Sequence, residues 1–308
     1  MKRLLAVLSL LLAAAAHAGT WQFALIGDTP YNDDERRDLP QMLDTIAAQQ
    51  PAFIVHAGDI KKGSARCSDE LFLDRRSLFN ASRVPLLYAI GDNEWTDCRR
   101  LVAGGFNQLE RLQKLRELFF AEPSSLGKTR LPVEQQPGEY PEHLRWRLGP
   151  VLFITLNVPG GNNNYGRRME PDAEFLARNP FVVDWLKQGF AMARRDQLAG
   201  IVIVMQANPN LKHFAAGLTH SGYRDLLETL RHETVTFPGQ VLLVHGDTHW
   251  QRIDQPLRHP QTRRSVRNFT RVETFGYPFM GWVNVTIDSE DPRLFSFTAH
   301  PYKPEKRN

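Results

Sequence analysis

Four short apolar runs along the chain each end abruptly in the dipeptide Gly-Asp. An unbroken apolar run of this length predicts a buried strand, and the Gly-Asp after it predicts a carboxylate at the strand's carboxyl end. One such ending is ordinary turn chemistry, but four of them place four carboxylates at strand ends. The runs cover residues 23–28, 53–59, 86–92 and 241–247, and they end in Asp28, Asp59, Asp92 and Asp247.

In open α/β folds, ligands bind at the edge of the sheet where such strands end. Four anionic side chains gathered at one edge repel one another strongly unless cations lie between them. The recurring pattern therefore predicts a metal site built from the four aspartates.

The rest of the chain alternates between helical and strand-like spacing. The strand, helix and strand in 21–59 predict a βαβ unit with parallel strands. No linker divides the chain, so we expect one α/β domain over residues 19–308. Apolar spacing predicts helices at 39–48, 108–120, 181–194 and 223–233, a helix from the N-cap Ser68 to about residue 82, strands at 144–148, 151–158 and 201–205, and tail strands at 281–287 and 294–298 that close a second sheet.

The first 18 residues have the pattern of a secretory signal peptide. Lys2 and Arg3 precede an apolar stretch over 4–16, which is too short to span a bilayer comfortably, and Ala16-His17-Ala18 fits the small-x-small cleavage rule. We expect cleavage after Ala18, export to the periplasm or outside the cell, and no membrane anchor in the mature protein.

The charge balance gives little indication of a charged macromolecular partner. The formal net charge is +4, and removal of Lys2 and Arg3 leaves +2. This weak excess does not favour a nucleic-acid partner. The arginine doublets along the chain are expected to be solvated surface, although one or two could serve an anionic ligand.

The chain has two cysteines, Cys67 and Cys98. Each follows one of the Gly-Asp ends by a few residues, and in an exported chain a pair of cysteines favours a disulfide. Such a bridge would join the two loops. The alternative is a pair of free thiols.

Five segments, taken in order, resemble the calcineurin-like metallophosphoesterase superfamily. Its blocks are Asp-x-His, Gly-Asp, Gly-Asn-His-(Asp/Glu), a His near a Pro, and Gly-His-x-His. The matching segments are 27–30, 58–59, 91–94, 206–209 and 246–249, within a resemblance that spans about residues 21–250. It implies a four-layer α/β/β/α sandwich with two mixed sheets, and hydrolysis of phosphate esters or anhydrides of a small molecule by metal-activated water.

The same resemblance implies two divalent ions bridged by Asp59. The first would be held by Asp28, Asp59 and His249, and the second by Asp59, Asp92, Gln206 and Asp247. Oxygen donors replace imidazole at several of these positions, which favours Mn²⁺, Mg²⁺ or Ca²⁺ over Zn²⁺. Gln206 could equally be a turn residue that bonds the backbone.

Two departures from the family pattern affect the expected chemistry. Pro30 stands where a metal-binding His is expected, and its side chain cannot ligate. Asn93 replaces the His near the leaving group and cannot donate a proton as an imidazolium does. Proton donation would then fall to water or to His245 or His56, which could instead be core histidines, and anhydrides and aryl phosphates should react best.

Three further residues are candidates for contact with substrate. Lys61 and Arg99 follow the metal loops, where a cation can bind phosphate, and Tyr31 could shape the pocket or merely pack beneath it. Two rivals to the hydrolase stay open at this point. One is a degenerate member of the same fold that binds metal or a phosphorylated ligand without turnover, and the other is a secreted binding protein with structural Ca²⁺.

Overall fold

The structure is a computed structural model that describes residues 19–166, 170–218 and 221–304. The expected signal peptide, residues 1–18, lies outside these residues. In chain order the elements are β1 (Thr20–Ile26), α1 (Asp33–Ala48), β2 (Ile54–His56), α2 (Asp69–Asn80), β3 (Leu86–Tyr88), α3 (Gln108–Phe119), β4 (Glu134–Gln135), β5 (Leu144–Leu148), β6 (Val151–Thr155), α4 (Gly160–Asn163), α5 (Ala173–Arg195), β7 (Gly200–Val204), α6 (Leu211–Ala215), α7 (Ser221–Thr236), β8 (Gln240–His245), β9 (Arg252–Asp254), β10 (Phe269–Glu273), β11 (Gly281–Asp288) and β12 (Phe295–Pro301), with short 3₁₀ helices at Thr96–Arg99 and Leu101–Ala103.

The strands form two mixed sheets. One has five strands in the order β12-β11-β1-β2-β3, and the other has seven in the order β4-β5-β6-β7-β8-β10-β9. Strands β1, β2 and β3 run parallel in the first sheet, as do β6, β7, β8 and β10 in the second. Parallel strands end at the same edge, so each sheet directs several loops to one side of the molecule.

Apolar side chains fill the space between the sheets and beneath the helices. Phe23 on β1 meets Phe153 on β6 edge to face, with ring centroids 5.0 Å apart, and Phe53 packs against both Phe153 and Trp146. A second cluster lies between the seven-stranded sheet and helices α5 and α7. Buried residues of α1, α2 and α3 join the first cluster. The fold is therefore the expected four-layer α/β/β/α sandwich.

Local capping explains where the first helix begins. Apolar spacing predicted a start at residue 39, whereas α1 begins at Asp33 because the Asn32 side chain accepts a hydrogen bond from Glu35 N at 2.8 Å. Glu35 reaches back to Tyr31 N at 2.7 Å, which completes a reciprocal cap. Ser68 caps α2 as predicted. The prediction began α1 too late because its first turn is polar, and apolar spacing detects only the part of a helix that carries apolar residues.

The expected place of the tail strands was wrong. Strand β11 pairs antiparallel with β1, and β12 pairs with β11, so the tail extends the first sheet and does not close the second. Alternation predicts that a segment is a strand but does not name its partner. No helix within the described residues combines the length and apolar character needed to cross a membrane.

Candidate active site

The predicted aspartates follow strands that end side by side. Ile26, His56 and Tyr88 are aligned in neighbouring parallel strands, and Val204 is aligned with Val244 in the other sheet. The chain leaves the sheets just beyond these positions. The side chains delivered there are Asp28, Asp59, Asp92, Gln206 and Asp247.

The glycine of the Gly-Asp pairs is required by close packing. A Cβ atom added at Gly58 would lie 2.7 Å from the side chain of Gln206, and one added at Gly91 would collide with the Asp59 carboxylate. Gly58 also has a φ of 96°, a conformation that favours glycine. Because Gly58 and Gly91 have no side chains, the strand ends that carry the site residues can pack closely together.

The four aspartates converge as predicted. The Asp28 carboxylate accepts hydrogen bonds from the backbone N–H of Asp247 at 3.0 and 3.2 Å. The charge of Asp92 contributes to the raised pKa of Asp59. Oxygens of Asp92 and Asp247 lie 2.8 and 2.9 Å from the point that a Cβ on Gly160 would occupy, so both carboxylates face this glycine.

The mutual repulsion of these carboxylates is seen in their raised pKa values. Burial raises the pKa of Asp92 to about 7, and the carboxylate of Asp247 adds to the shift. Burial likewise raises the pKa of Asp247 to about 6. The pKa values of Asp28 and Asp59 are raised well above the usual range, first by burial and then by the neighbouring carboxylates. Without cations, these carboxyl groups hold protons more readily than exposed ones do.

The Tyr31 hydroxyl lies among residues expected to hold the first ion. It is 2.9 Å from Asp59 Oδ2, 3.1 Å from His249 Nε2 and 3.5 Å from Asp28 Oδ1. The Asn93 amide donates a hydrogen bond to it at 3.0 Å. The hydroxyl of Tyr31 therefore contacts the acidic side chains of the cluster directly.

The expected bridging ligand, Asp59, is surrounded by protein donors. Besides the Tyr31 hydroxyl, its Oδ2 accepts from Asn93 Nδ2 at 2.8 Å and from Gln206 Nε2 at 3.3 Å, and its Oδ1 accepts from Asn93 N at 3.2 Å. The backbone N–H of Gly160 donates to Gln206 Oε1 at 2.6 Å, which turns the NH₂ group toward Asp59. Gln206 thus presents a donor to Asp59, not a ligand oxygen.

Glu94 has a supporting role beneath the site. It is completely buried, and its Oε1 accepts hydrogen bonds from Gly91 N at 2.7 Å, Asp59 N at 3.1 Å and the Tyr88 hydroxyl at 2.6 Å. These bonds connect the ends of β2 and β3. Glu94 therefore fixes the backbone that carries Asp59.

An irregular loop covers one side of the cluster. Four successive residues from Gly161 to Asn164 have left-handed φ values of 53–63°. The buried guanidinium of Arg178 holds the loop by donating to Asn163 Oδ1 at 2.8 Å and to the carbonyl of Asn157 at 2.6 Å. Backbone strain of this kind persists only when its surroundings over-determine it, and it is common at functional sites. No sequence signal identified Arg178.

The other predicted residues lie in different settings. Lys61 is fully buried and donates to the carbonyl of Lys62 at 3.1 Å; burial lowers its pKa, and the charges of Glu94 and Asp59 oppose that shift. Arg99 is exposed and contacts Gln108 and Asn164 beside the loop.

Two histidines considered as proton donors do not reach the cluster. The ring of His245 bonds the Gly246 carbonyl at 2.9 Å and lies 3.3 Å from Arg271, and burial lowers its pKa to about 3. His56 contacts the Thr29 carbonyl at 2.8 Å, and burial lowers its pKa to about 4. Both rings are enclosed within the fold.

Cys67 and Cys98 are joined in the structure, with Cα atoms 5.7 Å apart. Both are buried beneath the loops that follow β2 and β3. The bridge lies directly behind Asn93, whose carbonyl oxygen is 3.6 and 3.7 Å from the two sulfur atoms. The pair therefore supports one wall of the site.

The residues fit the expected ions unequally. Within the described residues, no group of three or more His, Cys, Asp or Glu side chains is placed as the ligands of a metal ion. At the first position the Tyr31 hydroxyl lies 2.9–3.5 Å from atoms of Asp28, Asp59 and His249, a spacing that the ligands of one ion also have from one another. At the second, Asp92 and Asp247 both face Gly160 and have raised pKa values, and their oxygen chemistry fits one hard cation.

A family model described as calcineurin-like phosphoesterase matches residues 22–251. No curated protein sequence matches the chain.

Solved structures share the fold at low sequence identity. PhoD is 12% identical with a TM-score of 0.53, over 87% of this chain and 64% of that one. A purple acid phosphatase from yellow lupin, Lupinus luteus, is 12% identical with a TM-score of 0.50, over 92% and 54%. A dimetal phosphatase from Danio rerio is 12% identical with a TM-score of 0.49, over 92% and 99%. The chain thus spans less than two thirds of PhoD and of the lupin protein, and at these identities the likeness to those two shows the fold alone.

Proposed function

The chain belongs to the calcineurin-like phosphoesterase family, and on that premise we propose that it is an exported, metal-dependent hydrolase of small phosphate esters or anhydrides. The observation that carries the proposal is the convergence of four aspartates with raised pKa values at the strand ends. Such a cluster favours the entry of a cation.

We place the ion at Asp92 and Asp247, because their oxygen chemistry suits a hard cation. When bound, a hard divalent ion such as Mn²⁺ or Mg²⁺ supplies positive charge to phosphoryl oxygens and lowers the pKa of a water molecule. Ca²⁺ is compatible with the same oxygen donors.

The chain's own residues would bind and orient the phosphoryl group. Arg99 lies at the rim beside Asn164, where its exposed guanidinium can pair with a phosphate. Asn93 offers an amide that carries no titratable proton, so protonation of the leaving group would fall to water. Good leaving groups, such as those of aryl phosphates and anhydrides, should therefore react fastest.

The test is hydrolysis of an aryl phosphate, an alkyl phosphate and a phosphate diester, with added Mn²⁺ or with EDTA. We expect turnover with Mn²⁺, a loss of at least about 100-fold in Asp247→Asn, and no change in Asp184→Asn, which removes an exposed carboxylate on α5. Turnover that persists in EDTA or in Asp247→Asn would contradict metal dependence. Equal rates for the alkyl and aryl phosphates would contradict the role of Asn93.

A second function is favoured by the donors around Asp59. Three side chains occupy its carboxylate with hydrogen bonds, as a site that only binds a phosphorylated ligand would allow. This non-catalytic member of the family would bind phosphate esters with Mn²⁺ but release them unchanged. Calorimetric titration with the same aryl phosphate, followed by analysis of the recovered ligand, separates the two functions.

Export is a separate part of the proposal. It is supported by the leader pattern in residues 1–18 and by the pair Cys67 and Cys98. Mass spectrometry of the mature protein should give an amino terminus at Gly19 and no free thiol. An intact leader on the cytoplasmic protein would contradict export.

A further inference from the structure

A buried glutamate outside the predicted set lies behind the loop of residues 246–250, which carries Asp247 and His249. Glu273 is the last residue of β10, and none of its surface is exposed. Because β10 pairs with β8, Glu273 is aligned with His245, the residue directly before the loop. No sequence pattern identified this glutamate. The end of β10 therefore lies beside the start of the 246–250 loop.

The 246–250 loop has a conformation that needs support. Asp247 and His249 both have left-handed φ values, of 80° and 56°. Such values are uncommon in residues other than glycine and persist only where the surroundings hold them. Residues 247–250 are half-buried or exposed, so burial of apolar surface contributes little to holding them. Support for the loop therefore comes mainly from hydrogen bonds.

Glu273 supplies two of these bonds from one oxygen. Its Oε1 accepts from the Thr248 hydroxyl and from the backbone N–H of Trp250, the latter at 3.4 Å. Thr248 and Trp250 flank His249, so the carboxylate bonds the loop on both sides of that residue. The other oxygen, Oε2, pairs with Arg252 Nη2 at 2.6 Å, which balances the charge of the buried carboxylate.

The next residue connects the same strand end to Asp28. The Thr274 hydroxyl donates to Asp28 Oδ2 at 3.5 Å. A Cβ atom added at Gly27 would lie 2.5 Å from that hydroxyl, so the ends of β1 and β10 are in close contact. The end of β10 thus contacts both the segment that carries Asp28 and the loop that carries Asp247 and His249.

We propose that Glu273 is a positioning residue, which fixes the loop that presents Asp247 and His249. It acts through the bonds that it accepts from the Thr248 hydroxyl and the Trp250 N–H. Its effect on ion binding rests on the proposed function, in which Asp247 is a ligand. The fixing of the loop does not, because these bonds are formed by the protein alone.

The experiment measures two quantities in each protein. Calorimetric titration gives the affinity for Mn²⁺, and mass spectrometry in EDTA gives the rate of amide hydrogen exchange in residues 246–250. Wild type is compared with Glu273→Ala and with Glu273→Gln, which keeps an oxygen that can accept the same two bonds while Arg252, 29% exposed, turns to water. The matched control is Glu134→Ala, which removes another Glu–Arg pair, with Arg145, from the edge strand β4 of the same sheet.

Glu273→Ala should exchange the amides of the loop at least about tenfold faster than wild type and bind Mn²⁺ at least about tenfold more weakly, because the bonds to a charged acceptor are lost. Glu273→Gln should stay within about threefold of wild type in both quantities, since neutral acceptors keep part of each bond. Glu134→Ala should change neither quantity.

A folded Glu273→Ala with wild-type exchange in the loop would overturn the proposal, as would faster exchange with unchanged Mn²⁺ affinity. Glu273→Gln that behaves as Glu273→Ala would also overturn it, because the charge and not the accepted bonds would then matter. Faster exchange in Glu273→Ala, with no Mn²⁺ bound by any of the proteins, would support the fixing of the loop and contradict the proposed function. Should Glu273→Ala fail to fold by circular dichroism, Thr248→Val, which removes the hydroxyl partner, is judged by the same outcomes.

Discussion

Replacing Asp92 with asparagine should stabilise the metal-free protein at alkaline pH. Burial, with the carboxylates of Asp247, Asp97 and Glu94 adding to it, raises the pKa of Asp92 to about 7 from its ordinary value of 3.8. Each pKa unit corresponds to about 1.4 kcal/mol, so the ionised side chain destabilises the fold by up to about 4 kcal/mol. The amide is nearly isosteric and carries no charge, and we expect it to recover about 1–4 kcal/mol of this.

The sign of the pH dependence follows from the direction of the shift. A carboxyl group whose pKa is raised by folding contributes stability that is fully present below the unfolded value of 3.8. That contribution is lost as the pH rises through about 7. Wild type should therefore lose stability relative to Asp92→Asn across this window, by about 1.4 kcal/mol per pH unit at the steepest.

The assay is urea unfolding of both proteins in EDTA, from pH 4.5 to pH 8. The stability difference should be small at the acid end and largest at pH 8, and Mn²⁺ should restore wild type more than the variant. The exposed Asp184→Asn serves as the control for a change in net charge. A variant that is no more stable than wild type at pH 8 would refute the argument that the cluster is strained.

Three further outcomes test other parts of the structure. Glu142→Gln should lose about 3 kcal/mol in urea unfolding, because it removes the buried negative charge and one of the two oxygens that Arg116 now bonds at 2.8 and 2.9 Å; an unchanged midpoint would contradict this. Removal of the bridge in a Cys67→Ser, Cys98→Ser double variant should lower stability by about 3–4 kcal/mol from the loop it closes, and this difference from wild type should shrink in reducing buffer; equal stability of the two proteins in non-reducing buffer would contradict it. Gly160→Ala should weaken Mn²⁺ binding at least about tenfold in calorimetric titration, since its Cβ would approach two carboxylate oxygens within 2.9 Å; unchanged affinity would place the ion elsewhere.

The sequence was sufficient to predict that the aspartates meet. Asp28, Asp59 and Asp92 follow parallel strands aligned at Ile26 and His56, and the alignment alone brings their loops to one edge. Such a prediction needs only the strand pattern and the rule that parallel strands share an end. It does not depend on the rotamer of any side chain.

The supporting residues could not be predicted in this way. Arg178 and Gly160 act through a loop whose left-handed turn has no hydrophobic period, and the Tyr31 hydroxyl reaches the cluster through the direction of one ring. Each depends on contacts between segments far apart in sequence. The pairing partner of the tail strand β11 could not be predicted either, because its alternation was compatible with both sheets.

Repulsion within a carboxylate cluster can be relieved by cations, by protons or by neutral hydrogen-bond donors, and this site uses the third means at Asp59. Asn93 and Gln206 stand where the family pattern has imidazoles, and both direct an NH₂ group at the same carboxylate. The substitutions that remove ligands are therefore the ones that supply donors. Asp247 also accepts a hydrogen bond, from Asn208 N at 2.9 Å, and the pKa values of Asp92 and Asp247 are nevertheless raised to about 7 and 6. Because the pKa values of all four aspartates stay raised, hydrogen-bond donors alone do not relieve the cluster, and a demand for a cation remains.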